Sequence, residues 1–278
     1  MSLATQTIGV GRTARGLRRL NQVDLAALAA RLGTLGVVAA LWQVFAGGPR
    51  SVLPADVVGR PSSILASLWH LVVDGQFFSS LGLTALSVCY ALVLAVPIGV
   101  GLGLLTTIRP IGWLLQPLVN LTYAIPKVGL VTLYVLLLGT HPDTHVALVL
   151  SQILFVFYYA TRQAILELDP GVVTALRLMG ASRLKLVCSL ALRAALPHLL
   201  AAIRLCVPLA FATEIFAELR APTSSGLGVL LQNLITAGDG AAAMAIMLCT
   251  ALIGYLLDLV IGRRLRAYTT SIGVGLPT

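Results

Sequence analysis

Four ionisable side chains stand inside strongly apolar stretches: Lys127, and Arg204, Glu214 and Glu218 in the run from 196 to 219. A charge placed in hydrocarbon costs at least about 2.5 kcal/mol on insertion scales, so such residues are functional candidates by default. Glu214 and Glu218 are four apart and share one helical face. They either line a translocation path and gate it near the outer surface, or form a structural pair with Arg204 or Arg220. Lys127 follows Pro126, where a helix must break, and is placed to attract an anion. In HPDTH at 141–145, His141 and His145 flank Asp143 at a spacing that gives part of a metal site on a helix. Pro142 argues against a helix running through His141, and no third ligand is evident. The segment therefore reads as a solvated turn, and no metal site is expected.

Other chemistry is missing from the chain. It contains no G-x-x-x-x-G-K-[ST], no nucleophile elbow, no H-E-x-x-H and no paired catalytic carboxylates, so it is not read as an enzyme. Gly99, Gly101 and Gly103 resemble a dinucleotide loop only in spacing, since no strand precedes them and they lie within an apolar run; close helix packing is the reading. Cys89, Cys188, Cys206 and Cys249 are isolated in or beside apolar segments and read as small packing residues.

The elements that must position these residues follow from composition. The 278 residues are 58% hydrophobic and 10% charged, against roughly 25% charged in soluble domains, and the mean hydropathy is +0.95. This predicts an all-α polytopic membrane protein. The net charge of +9 does not indicate nucleic acid, because the arginines cap apolar segments and form no basic face; they serve topology and contact with anionic lipid.

Six spans are expected: 25–45, 81–107, 111–139 broken at Pro126, 146–165, a fifth beginning at 189 or 196 and ending at 219, and 241–261 stopped by Gly262. An interfacial helix is expected over 62–77, and a short re-entrant or surface helix over 226–233. The basic arm 1–24 resembles a signal n-region without a clean cleavage site, so the apolar run after it reads as a retained anchor. The chain thus divides into a cytoplasmic arm (1–24), a first span with its outer loop (25–60), a core (61–268) and a cytoplasmic tail (269–278). Arg12, Arg15, Arg18, Arg19, Arg109, Arg177, Arg183, Lys185, Arg263, Arg264 and Arg266 fall on one side, against Arg50, Arg60 and Arg220 on the other. The bias places both termini and the 169–188 loop in the cytoplasm.

That loop, DPGVVTALRLMGASRLKLVCSLALRAALP from Asp169 to Pro197, is a polar island between spans. Pro170 suits a first helical turn, Val173, Leu176 and Met179 recur at helical spacing, and Gly180 ends the helix. It resembles the cytoplasmic loop of ABC importer permeases, E-A-A-x-x-x-G followed by L-P. Thr174, Ala175 and Leu176 stand where E-A-A would be, Gly180 is the glycine, Leu192-Arg193 replaces the first L-P, and Pro197 supplies the second proline. RPSSILASLW at 60–69, Ile125-Pro126, Ser225-Gly226-Leu227-Gly228 and Arg263 to Arg266 extend the likeness over about 55–272, nearest the nitrate, taurine and alkanesulfonate branch.

The resemblance implies a type I ABC importer permease fold in a bacterial inner membrane. It implies a homodimer or heterodimer of permeases, an ATPase subunit dimer that binds ATP and magnesium, an extracytoplasmic solute-binding protein, and no cofactor in this chain. It assigns ATPase coupling to Val173, Thr174, Ala175, Leu176, Arg177, Met179, Gly180 and Arg183 in a coupling helix at about 169–182. Val172, Val173, Leu176 and Met179 would fill a groove on the ATPase, and Arg177 and Arg183 would meet its acidic rim. Thr174 departs from the motif's glutamate and removes one expected ion pair. The cargo implied is a small anion such as nitrate, a sulfonate or an organic acid. An ion-coupled secondary transporter is the alternative, but it predicts paired broken helices in two repeated halves, and no such repeat is found.

Overall fold

A computed structural model describes residues 10–46, 59–186, 190–222 and 225–272. Most of the outer loop at 46–60, the ends of the arm and tail, and Cys188 lie outside the described residues. Everything regular is helical: α1 (Val10–Phe45), α2 (Pro61–Val73), α3 (Gln76–Leu105), α4 (Arg109–Ala124), a 3-10 turn (Lys127–Leu130), α5 (Val131–Leu138), α6 (Pro142–Leu166), α7 (Pro170–Leu178), α8 (Arg183–Leu186), α9 (Leu192–Arg220), α10 (Leu227–Thr236) and α11 (Gly240–Ile272).

Among the described residues α3, α6, α9 and α11 are long and apolar enough to cross a bilayer. Taken together, α4 and the segment Lys127–Leu138 are also long and apolar enough, bent by 81° at Ile125-Pro126 as a broken span or a re-entrant loop. The stretch Ala29–Phe45 of α1 is an apolar helix as well. Helix α1 starts at Val10, inside the basic arm, because its arginine- and leucine-rich sequence carries no proline to stop it.

Two predicted boundaries move, each for a local reason. The interfacial helix ends at Val73 and the next span begins at Gln76, because Gly75 turns the chain with φ +72°. The final helix does not stop at Gly262. Gly262 is there for contact: a Cβ added to it would stand 3.3 Å from Cζ of Arg204.

The core is the seam where α6 packs between α3 and α9. Val88, Ala91 and Ala95 of α3 meet Val149, Ile153 and Phe157 of α6 and Ala202, Cys206 and Ala210 of α9. Lipid offers no hydrophobic drive between helices, so close approach of small residues matters most. A Cβ on Gly99 would stand 2.7 Å from the Leu154 carbonyl oxygen, and one on Gly103 2.7 Å from Thr161 Cβ, whereas Gly101 has nothing within 4 Å. Gly99 and Gly103 are therefore the packing glycines. A second cluster joins Leu71, Phe77, Leu227, Leu231, Ala242 and Ile246, seating α2 and α10 against α11.

Candidate functional sites at the two ends of the helical seam

Glu214 and Glu218 do share a face of α9, and both are buried. The partners foreseen for them are elsewhere. Arg204 makes a bidentate pair with Asp258 of α11, Nε to Oδ1 at 2.5 Å and a terminal nitrogen to Oδ2 at 2.9 Å. The Arg220 guanidinium lies over the Phe216 ring at 5.6 Å. The glutamates face His145 instead. Pro142 occupies the first turn of α6 and His141 stays outside the helix, as the proline required, but the helix it opens replaces the expected turn. His145 falls in the next positions, turned inward and only 2% exposed, so it is not part of a solvated turn. His141 caps the helix in extended backbone and is exposed.

Both carboxyl oxygens of Glu218 accept hydrogen bonds from fixed donors. Thr84 Oγ1 donates to its Oε1 at 2.8 Å, and the Gly228 N–H donates to its Oε2 at 2.6 Å. Thr84 Oγ1 in turn accepts the Leu227 N–H at 2.9 Å. The carboxylate thus caps the positive end of α10, whose first amides lack intrahelical partners. Glycine at 226 and 228 permits the approach, since a Cβ at Gly226 would meet Glu218 Oε1 at 2.2 Å and one at Gly228 the Ile215 carbonyl at 2.4 Å.

His145 Nε2 lies 2.8 Å from the Ala221 carbonyl oxygen and therefore donates to it. Its Nδ1 stands 3.4 Å from Glu214 Oε1. Glu214 has 0% exposure, and neither of its carboxylate oxygens has a hydrogen-bond donor among the described residues. Ligand-capable atoms of His145, Glu214 and Glu218 all lie within 4.8 Å of one another. They border a cavity of about 380 Å³ between α3, α6 and α9, whose wall includes Ser87, Tyr90, Asp143 and Ser225.

Lys127 is only 5% exposed, and its ammonium is turned onto backbone. It donates to the carbonyls of Thr122, Tyr123 (3.0 Å) and Ile125 (2.8 Å). Those carbonyls lie in the last turn of α4 and at its C-cap, so Lys127 caps the break. It also sits over the rings of Phe155 and Tyr123 at 5.1 and 5.9 Å.

The other end of α6, about 37 Å away at 1.5 Å per residue, carries α7. This helix is capped at both ends. Asp169 Oδ1 accepts the Gly171 N–H at 2.7 Å, and Pro170 is its first residue. At the C-terminus Gly180 has φ +80°, the Gly180 N–H bonds the Arg177 carbonyl and the Ala181 N–H bonds that of Leu176, each at 3.0 Å. That double bond pattern is a Schellman motif. Thr174 folds its hydroxyl back onto the Pro170 carbonyl at 2.8 Å.

Of the four apolar residues assigned to a partner groove, Val173 and Leu176 are half-buried, while Val172 (45% exposed) and Met179 (74%) face out. Leu178, 85% exposed, belongs with the outward pair and was missed. Its signal was its place three residues after Ala175 on the same outward edge. Ala175, Arg177 and Gly180 are exposed as well, and Arg183 opens α8 with its side chain outside the described residues. At the foot of α7, Glu167 accepts from the Gln163 amide at 2.8 Å and pairs with His198 Nε2 of α9 at 3.0 Å. The Gln163 hydrogen bond, aided by the His198 charge, holds the Glu167 carboxyl below its ordinary pKa.

Residues 95–268 match the family model described as binding-protein-dependent transport system inner membrane component. TauC of Escherichia coli K12, named as a taurine transport system permease protein, is 27% identical over 244 residues, covering 82% of this chain and 84% of TauC. SsuC of Bacillus subtilis strain 168, named for aliphatic sulfonates transport, is 26% identical and covers 80% of each chain. Among solved structures, a chain of the inward-facing MetNI methionine ABC transporter superimposes with TM-score 0.59 at 21% identity, covering 73% of this chain and 97% of that one. A chain of a bacterial ABC transporter that imports alginate gives 0.66 at 13% identity, covering 93% and 99%. The fold is thus that of type I ABC importer permeases.

Proposed function

Because this chain belongs to the family of binding-protein-dependent transport system inner membrane components, we propose that it is the gate for a small anionic solute of the sulfonate class, moved by a separate ATPase that grips α7. The permease subunit has no nucleotide motif, so the work of closing and opening comes from outside it. A second permease completes the path, a pair of ATPase subunits binds ATP and magnesium, and an extracytoplasmic binding protein delivers the solute. Both termini and α7 face the cytoplasm, a placement supported by the arginines at 177, 263 and 264 against the few on the other side. The sulfonate class is supported by the names of TauC and SsuC.

The observation that carries coupling is the outward apolar edge of α7. Leu178 and Met179 stand exposed on a helix capped at both ends, beyond the last turn of α6. A rigid, capped lever passes on a push that a frayed one would absorb. Its neighbours Arg177 and Lys185 are exposed cations suited to an acidic rim. In vesicles holding the complete transporter, the double substitution Leu178→Glu with Met179→Glu lowers uptake and solute-stimulated ATP hydrolysis by roughly tenfold or more, as for anchor residues of an interface. Unchanged uptake by that variant, inserted at the normal level, contradicts the coupling role.

A further inference from the structure

We propose that His145, Glu214 and Glu218 bind a zinc-class divalent cation at the floor of the cavity between α3, α6 and α9. The His145 Nε2–H is committed to the Ala221 carbonyl, so in the neutral ring Nδ1 carries a lone pair. A backbone carbonyl that fixes the tautomer and aims the free nitrogen is the usual support behind a histidine ligand. That lone pair faces Glu214 Oε1 at 3.4 Å, and both Glu214 oxygens are fully buried without a donor. A proton on Nδ1 would reach only Oε1, at 3.4 Å, and would leave the buried Oε2 unpartnered, whereas a cation among the three residues engages both glutamates.

The spacing suits a metal. Ligands about 2.0–2.2 Å from zinc in a tetrahedron stand roughly 3.4 Å from each other. Glu218 closes the set, with the ligand atoms of all three residues within 4.8 Å. Each of its oxygens accepts one hydrogen bond and keeps a further lone pair. A dication bound among the three residues would displace their protons and offset the charge of the two carboxylates. The nitrogen ligand favours zinc-class metals over magnesium or calcium, which prefer oxygen throughout. All three residues border the cavity, and exposed Asp143 and Ser225 on its wall mark an entry route.

The test uses the untagged full-length chain in detergent, stripped with a chelator and titrated with zinc alone. The wild-type chain is expected to retain about one zinc through gel filtration and to melt at a higher temperature when loaded, as linkage requires. Glu214→Gln and His145→Gln each weaken zinc binding by at least about tenfold and abolish the melting shift. Zinc held equally well by either variant, or a wild-type chain that retains none, overturns the site. Should the variants fail to fold, X-ray absorption of the zinc-loaded wild type decides. An imidazole nitrogen at about 2.0–2.1 Å with carboxylate oxygens supports the site, and a shell without imidazole contradicts it.

Discussion

At the scale of single residues, the most consequential arrangement is Thr84 between the Glu218 carboxylate and the start of α10. Its hydroxyl gives one hydrogen bond and takes another, both buried. Thr84→Val keeps the shape and removes both, leaving the Leu227 N–H without its acceptor. The expected loss is about 1–3 kcal/mol in reversible unfolding of the purified chain. Little of this was readable beforehand. The two glutamates were legible as a pair because a four-residue spacing fixes a helical face. Their partners Thr84 and His145 are separated from them by dozens of residues, and only tertiary packing unites them. Pro142 correctly kept His141 out of the helix, but the helix that it opens from 142 onward, which turns His145 inward, was read as a solvated turn. Lys127 was legible as a charge beside a break, but not as the cap of that break, since nothing local says which carbonyls a lysine will reach.

At the scale of elements, the seam between α3 and α6 depends on two glycines out of three. Gly99→Ala should cost about 1–3 kcal/mol through overpacking against the Leu154 carbonyl and Phe157. Gly101→Ala meets open space and should be neutral, or stabilising by up to about 1 kcal/mol of helix propensity. Thermal melts of the two variants side by side check this contrast. Spacing showed that the glycines pack but not which ones, because i, i+2, i+4 places them on different sides of the helix. Long apolar periods made the spans legible, and Pro126 the bend; the ends at Val73 and beyond Gly262 were not, because they rest on Gly75 conformation and on the contact with Arg204. At the junction of α6 and α9, Glu167 has its pKa lowered in the folded chain by Gln163 and His198. Its contribution to stability is therefore complete above the ordinary carboxylate range and is lost as pH falls through the lower folded value. Glu167→Gln should flatten the acid side of a plot of melting temperature against pH, with no change near neutrality in its slope.

At the scale of the whole molecule, α6 and α9 join two sites that lie at opposite ends of one packed seam. The capped helix α7 sits after the last turn of α6, and the cavity with His145 lies at its first turn. Under the proposed coupling, a displacement of α7 would reach the cavity through α6, whose packed seam with α9 would shift as a unit. Thr174 stands where the E-A-A-x-x-x-G motif that the loop resembles has glutamate, and its hydroxyl is satisfied by the Pro170 carbonyl. Because the caps at Asp169 and Gly180 already hold the helix, Thr174→Glu should leave ATP-driven uptake intact or raise it, measured in vesicles with normal insertion. The most direct measurement of the central claim compares solute accumulation by vesicles containing this permease with and without its ATPase. Accumulation that requires the ATPase and hydrolysable ATP is the predicted result. Accumulation at the full rate by the permease without any nucleotide hydrolysis would contradict it.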